Sequence, residues 1–499
     1  MTPEPPFLLA IDQGTTSTRA ILFDAGGKAS ASHAIELRQI YPANGWVEHD
    51  ADEIWQSVLA CLHVVTRGVP AKDIAGIGIT NQRETTVLWD RKTGSAVHNA
   101  IVWQDRRTAE RCRTLRSMEL EGTIVAKTGL LLDPYFSATK AAWLLDNVPL
   151  ARERAANGEL AFGTVDSWLI FKLTGGAIHA TDVTNASRTM LLDLKSLAWD
   201  GDLLTLFDIP RTLLPDVRDC AGDFGTTVPD LFGEPVRILG VAGDQQAAAI
   251  GQACFSPGDV KSTYGTGCFA LVNTGAAPPT SQNRLLATSA YRIGGKAAYA
   301  LEGSIFVAGA VVQWMRDALK VIGSAPEIET LARSAKSAEG LYFVPAFTGL
   351  GAPYWDPDAR GAIIGLTRDM GVAEIARAAL DAVCFQTRDL LEAMARDMDA
   401  AKLGAPAALR VDGGMVKNDW FCQRLADLTG LPVDRPQVVE TTALGAAYLA
   451  GLSAGLFRDT ADIAARWALD RRFEPSLAAA SRNKLFDGWS SAVSRVRSV

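Results

Sequence analysis

Ile11-Asp12-Gln13-Gly14-Thr15-Thr16-Ser17-Thr18-Arg19 and Thr263-Tyr264-Gly265-Thr266-Gly267-Cys268-Phe269 are two glycine–threonine turns about half the chain apart, each flanked by short apolar runs of strand character. Glycine removes the Cβ that keeps a backbone away from an anion, and adjacent hydroxyl and amide N–H groups supply donors. A polyphosphate can be held this way without a P-loop. Its repetition points to two half-molecules closing on one nucleotide. Around the first turn, residues 7–11 and 20–23 form a hairpin, followed by a second turn at Asp24-Ala25-Gly26-Gly27. Around the second turn, an apolar strand reaches Tyr264 and residues 269–272 lead out again.

Working outward, Asp50 is placed to cap a helix whose apolar stripe is Ile54, Trp55, Val58, Leu59, Leu62 and Val65. Residues 74–79 and 85–89 are strand-like. Residues 374–398, 418–428 and 441–450 are helical, the second ending at Gly430 with Pro432 beyond and the third rich in alanine and glycine. Strands mixed with helices in this order indicate an α/β architecture. A boundary is expected near residues 251–258, where Ser256-Pro257-Gly258 reads as a linker turn, dividing the chain into residues 1–252 and 253–499.

The 499 residues, 48% of them apolar, supply large cores, and the net charge of −7 gives no global attraction for nucleic acid or acidic lipid. Attraction for phosphate must therefore be local. The one basic run, DRRTAERCRTLR at residues 105–116, is interrupted by Asp105 and Glu110 and reads as a solvated helix face. Seven cysteines with no C-x-x-C spacing fit free thiols in a reducing cytoplasm and offer no zinc site. The N-terminal stretch lacks a basic region ahead of its apolar run, so it is not read as a signal peptide. The longest apolar stretch, residues 303–315, falls short of the ~20 residues needed to span a bilayer. The expectation is a cytoplasmic chain with no nucleic-acid partner and no membrane insertion.

Each chemical motif has a plain alternative. Asp12 beside a phosphate turn calls for a cation between the negative groups, and magnesium prefers carboxylate, water and phosphate oxygens; a turn-stabilising aspartate explains the residue equally well. Residues 265–270 formally match a relaxed dinucleotide fingerprint. However, they continue as a strand and no acid follows until Glu302, and no Walker motif occurs. Val411-Asp412-Gly413-Gly414-Met415 allows close approach of a base or ribose, or is an ordinary strand-to-helix turn. Asp244, after the apolar run 238–241, is a candidate base for an alcohol, because all five histidines lie before residue 180; a helix-capping aspartate is the alternative. In Asn81-Gln82-Arg83-Glu84-Thr85-Thr86 an arginine fork stands beside a carboxylate, suited to vicinal hydroxyls of a small polyol, or to a surface ion pair worth about 0–1 kcal/mol. Trp103, Tyr135 and Phe269 are available to wall its carbon side or to pack a core.

Taken together, DQGTTSTRA, YPANGWVEHD, GITNQRETT, WQDRRTAE, DPYFSATK, TNASRTMLLD, AGDQQAA, TYGTGCF, VPAFTGLGAPYWDPDARGAI, RVDGGMVKND and TALGAAYLAG, in this order over residues 8–472, resemble the FGGY carbohydrate kinases. That resemblance implies an α/β fold of two RNase H-like domains of the actin, hexokinase and Hsp70 type around a central cleft. It also implies transfer of the ATP γ-phosphoryl group to the 3-hydroxyl of glycerol, giving sn-glycerol 3-phosphate. Arg83, Glu84, Tyr135, Asp244 and Gln245 would hold the hydroxyls, with Trp103 and Phe269 against the carbons and Asp244 as the base. Thr15, Thr16, Ser17, Arg19, Thr266, Gly309, Gln313, Gly414 and Asn418 would contact ATP. Asp12, with Asp244, would hold Mg2+. A homo-oligomer, dimer or tetramer, is implied as well. Residues 228–237 depart from the glycine-rich, arginine-containing loop through which some members bind fructose 1,6-bisphosphate, and no histidine follows His179 for phosphorylation by a phosphotransferase system. Kinases of other polyols, and a non-catalytic nucleotide switch on the same fold, are the rival readings.

Overall fold

The computed structural model describes residues 5–336 and 338–498. Strand β1 (Phe7–Gln13) pairs antiparallel with β2 (Ser17–Phe23), and β2 with β3 (Ala29–Glu36); β4 (Ile74–Asn81) runs parallel to β1, and β5 (Ile238–Gly243) parallel to β4. The resulting order is β3-β2-β1-β4-β5. β1 and β5 are buried almost throughout because both faces of the sheet are covered, whereas the edge strand β3 is mostly accessible.

The second sheet has seven strands: β6 (Val260–Tyr264), β7 (Cys268–Gly275), β8 (Leu286–Ile293), β9 (Lys296–Ile305), β10 (Leu409–Asp412), β11 (Val433–Pro436) and β12 (Leu469–Phe473), in the order β8-β9-β7-β6-β10-β11-β12. Its inner strands β9-β7-β6-β10-β11 repeat the first sheet's order and directions, antiparallel on the hairpin side and parallel beyond it. This is the duplicated two-lobe α/β plan expected from the sequence. Both glycine turns fall at the same corner of it, β1 to β2 and β6 to β7.

Helix α1 (Ala51–Val65) is capped by Asp50, whose carboxylate accepts from the Asp52 and Glu53 amides. Ile54, Val58, Cys61, Leu62 and Val65 form its buried face; Trp55 and Leu59 sit half-buried at the margin. The other helices that shape the site are α2 (Asp244–Gly251), α3 (Gly309–Asp317), α4 (Val372–Ala400), α5 (Asp419–Thr429) and α6 (Thr441–Ser453). α6 leaves the second lobe to lie on β1, β4, β5 and α2 of the first. A Cβ on Gly445 would stand 1.8 Å from the Ala247 carbonyl oxygen, so the small residues of TALGAAYLAG are what let these helices meet.

Two sequence expectations are corrected locally, for the strand at 85–89 and for the basic run. The strand expected at 85–89 is Val87–Asp90, because residues 82–86 turn out of the sheet. The apolar stretch 303–315 is divided between β9 and α3, and among the described residues no helix is long and apolar enough to cross a membrane. The basic run is solvated only in part. Arg113 and Arg116 are exposed, but the Arg107 side chain is fully buried, its guanidinium 3.9 Å from the Trp46 ring and 4.6 Å from that of Trp143, and bonded to Asp105 and Glu48. The helix there starts only at Ala109, so helical spacing does not govern Arg107. All seven cysteines are free and buried.

Candidate active site

Beyond the end of β4 the backbone turns sharply. Glu84 adopts a φ of 61°, and the Thr85 amide donates to the Arg83 carbonyl at 2.7 Å. A non-glycine residue held there costs of order 1–3 kcal/mol, strain typical of functional turns. Arg83 and Glu84 are 3% and 1% exposed, which removes the surface-pair alternative. They bind other partners. Arg83 Nε lies 3.1 Å from Asp244 Oδ1, its Nη1 and Nη2 donate to Glu302, and Arg188 Nε donates to Glu84 Oε1 at 2.6 Å. Burial raises the Glu84 carboxyl above its ordinary value despite Arg188 and Arg83; for Glu302 the same arginines overcome burial and hold the carboxyl low.

Asp244 is the first residue of α2, with Gly243 in the cap position and no side-chain cap bond. Its Oδ1 accepts from the adjacent Gln245 amide at 2.7 Å and faces Arg83, so helix capping does not account for it. Gln245 is buried and accepts from Lys261 Nζ. Trp103 meets Tyr135 and Phe269 edge-on with ring centres 5.6 and 6.0 Å away, forming an apolar wall beside the polar pair. Trp103 Nε1 donates to Thr15 Oγ1 at 2.8 Å, joining this wall to the first glycine turn. A cleft of about 770 Å³ between the lobes shares Trp103 and Tyr135 with this site and is lined further by Arg106, Phe306, Trp355 and Arg360, while Arg83, Glu84 and Asp244 lie outside its lining.

In the first turn the Gly14 amide donates to the Ser17 carbonyl at 2.9 Å, with Thr15, Thr16 and Ser17 at the hairpin tip. Arg19 is paired across the lobes with Glu440. In the second turn the Gly265 amide donates to Gly267 at 2.9 Å, and the start of α3 braces it: Ala308 and Ala310 donate to the Thr266 carbonyl, and Gly309 to that of Gly265. The Gly309 amide is thus already used inside the protein, while Thr266 and Gln313 are exposed. In the third turn Gly413 has a φ of 94°, and a Cβ there would lie 2.5 Å from the Tyr264 carbonyl oxygen. Gly414 is exposed beside it. Asn418 Oδ1 caps α5, accepting from the Phe421 amide at 2.9 Å.

Asp12 is half-buried and its carboxylate receives no protein hydrogen bond among the described residues. Burial pushes it up to about 7; Arg19 opposes the rise, and the negative charges of Asp244 and Glu440 add to it. A cation would relieve this. Among the described residues no group of three or more histidine, cysteine and acidic side chains surrounds a metal position. One or two carboxylates completed by water and phosphate oxygens suit magnesium and not a dedicated protein cage.

Arg188, Glu302 and Lys261 were not read from the sequence as site residues, yet all are buried against the expected ones. Arg188 lies inside TNASRTMLLD. Glu302 is the one charge in the apolar run 297–312, which is the signal that it has a buried partner.

The chain belongs to the FGGY family of carbohydrate kinases: residues 7–251 match that family's N-terminal domain and residues 260–454 its C-terminal domain. It is 61% identical to the glycerol kinase of Alcanivorax borkumensis, with 98% of each chain covered. Among solved structures it is similar to Plasmodium falciparum glycerol kinase with ADP, at a TM-score of 0.90 and 36% identity over 99% of each chain. It also matches the gluconate kinase of Lactobacillus acidophilus, at a TM-score of 0.87 and 25% identity over 98% of each.

Proposed function

We propose that this chain transfers the γ-phosphoryl group of ATP to the 3-hydroxyl of glycerol, releasing ADP and sn-glycerol 3-phosphate. One observation carries the reading: a buried donor–acceptor pair, Arg83 and Glu84, stands beside Asp244 and is joined through the wall of Trp103, Tyr135 and Phe269 to the Thr15 turn. Arg83 and Glu84, with Tyr135 and Gln245, hold the hydroxyls, and Trp103 and Phe269 cover the carbons. Thr15, Thr16, Ser17, Arg19 and Thr266 approach the phosphates, with Gly309, Gln313, Gly414 and Asn418 toward the nucleoside. Mg2+ held by Asp12 and Asp244 would neutralise phosphate charge. Asp244 takes the hydroxyl proton, and binding and electrostatics supply most of the rate, as phosphoryl transfer requires. Closure of the lobes excludes water from the γ-phosphate. Free, buried thiols support a reducing, cytoplasmic setting.

ADP release measured with and without glycerol and Mg2+, then across a panel of polyols, tests the reading. Turnover is expected to require both. A nucleotide switch on this fold would hydrolyse ATP slowly and ignore glycerol, and the gluconate kinase neighbour shows that the fold alone does not choose the acceptor. Asp244→Asn should lower kcat by about 10²- to 10⁴-fold while glycerol still binds, and near-normal turnover would reject its role as base.

A further inference from the structure

Glu84, Arg188, Glu302 and Arg83 form an alternating chain of charges, each no more than 3% exposed, that ends against Asp244. Buried charges persist only when paired, and these four cancel. Three come from the first lobe, whereas Glu302 stands on β9 of the second. The same region carries further cross-lobe bonds, Ser187 Oγ to Thr288 Oγ1 at 2.9 Å and Gln246 Nε2 to Thr288 Oγ1 at 3.3 Å.

We propose that Glu302 and Arg188 are positioning residues for the phosphoryl acceptor site, forming a bracket that fixes Arg83 and Glu84 and makes polyol binding depend on the two lobes being together. The inference rests on the polyol reading above. The bracket occupies one side of each group it holds. Glu302 takes one N–H from each terminal nitrogen of Arg83, Gln246 accepts another from Nη1 at 3.2 Å, and Asp244 faces Nε. One Nη2 N–H remains. Arg188 occupies Glu84 Oε1, and Oε2 has no protein partner among the described residues. On Arg83 and Glu84 this leaves one held donor and one held acceptor for two vicinal hydroxyls, while Arg188 Nη1 and Nη2, behind them, have no hydrogen-bond partner among the described residues. Without Glu302 only the 3.2 Å bond to Gln246 opposes rotation of the Arg83 fork onto Asp244, which would withdraw the donor and occupy the base together. Because Glu302 belongs to the other lobe, any opening that separates β9 from Arg83 and Arg188 slackens the polyol site, so acceptor binding and lobe closure favour one another.

Steady-state kinetics of Glu302→Gln against wild type test this, with folding checked by circular dichroism. The glycerol KM is expected to rise roughly 10- to 100-fold, the loss typical of a charge-assisted hydrogen bond, with the ATP KM within about twofold of wild type. Glu302→Asp, which keeps the charge on a shorter stem, should recover part of the difference. A folded Glu302→Gln or Glu302→Asp protein with a native glycerol KM overturns the bracket, as does a parallel rise in both KM values. If neither variant folds, the charge serves stability and the inference falls. Wild-type ADP release indifferent to glycerol sinks the underlying function instead, so the two failures are distinguishable.

Discussion

The corner of β1 and β2 and the corner of β6 and β7 are equivalent positions in a repeated strand pattern, but their chemistry is inverted. In the first lobe the carboxylate is on the hairpin strand: Asp12 is in register with Thr80 of the neighbouring parallel strand. In the second lobe the hydroxyl is on the hairpin strand and the carboxylate on its neighbour, Thr263 opposite Asp412. Asp412 is buried and accepts from Gln252 Nε2 at 2.8 Å. Asp12 has no donor among the described residues. One geometry thus yields a carboxylate with no protein donor among the described residues and a carboxylate bonded to Gln252 at the end of α2. The turns differ likewise: Thr15 is tied to the aromatic wall through Trp103, whereas residues 265–267 are braced from behind by α3 and present backbone.

The largest test of this contrast exchanges each carboxylate for an amide. Asp12→Asn should raise the Mg2+ concentration for half-maximal activity about 10- to 100-fold, while Asp412→Asn should leave that requirement unchanged and lower the melting temperature. Equal effects on the metal requirement would abolish the distinction.

Gly413→Ala comes next. It places a Cβ against the Tyr264 carbonyl at a φ of 94°, and a destabilisation of about 1–3 kcal/mol is expected, with a higher ATP KM and a smaller change for glycerol. Chemical denaturation and paired KM measurements check it.

Thr15→Val removes one hydrogen bond to Trp103, worth about 0.5–1.5 kcal/mol, and should weaken both substrates. Thr266→Val, where the hydroxyl is exposed, should change only the nucleotide KM. If Thr15→Val also spares glycerol, the link between wall and turn has no kinetic role.

The smallest effect is on stability. A carboxyl whose folded value is raised to about 7 contributes stability that is fully present below its unfolded value near 4 and is lost as pH rises through 7. Metal-free protein should therefore weaken between pH 4 and 7. Mg2+ with ATP should reverse that loss in wild type and in Asp412→Asn, and Asp12→Asn, which has no carboxyl to titrate, should not show it, as followed by denaturation midpoints at pH 5 and 8.

The elements most legible in the sequence were those whose cause is local. The two hairpins followed from apolar runs broken by glycine and threonine, the α1 cap from Asp50, and the end of α5 from Gly430, which takes a φ of 77°. Arg83, Glu84 and Asp244 were legible as chemistry but not as partners. The sequence suggests an Arg83–Glu84 pair, because they are adjacent; the left-handed turn at Glu84 hands each to a residue more than a hundred positions away. Arg107 was misjudged for the same reason, since its aromatic partners Trp46 and Trp143 come from separate segments.

The chain's order of residues by itself determined the repeated strand–turn–strand units, the glycines that admit close backbone approach, and the inventory of carboxylates and arginines near them. Short-range sterics and apolar periodicity act over a few residues, so they can be read directly. Only the tertiary structure decided which of those charges are satisfied and which are left open, that Asp412 gains a donor where Asp12 has none among the described residues, and that Glu302 reaches across to Arg83. Pairing a buried charge depends on where distant segments meet, and desolvation makes that meeting place decisive.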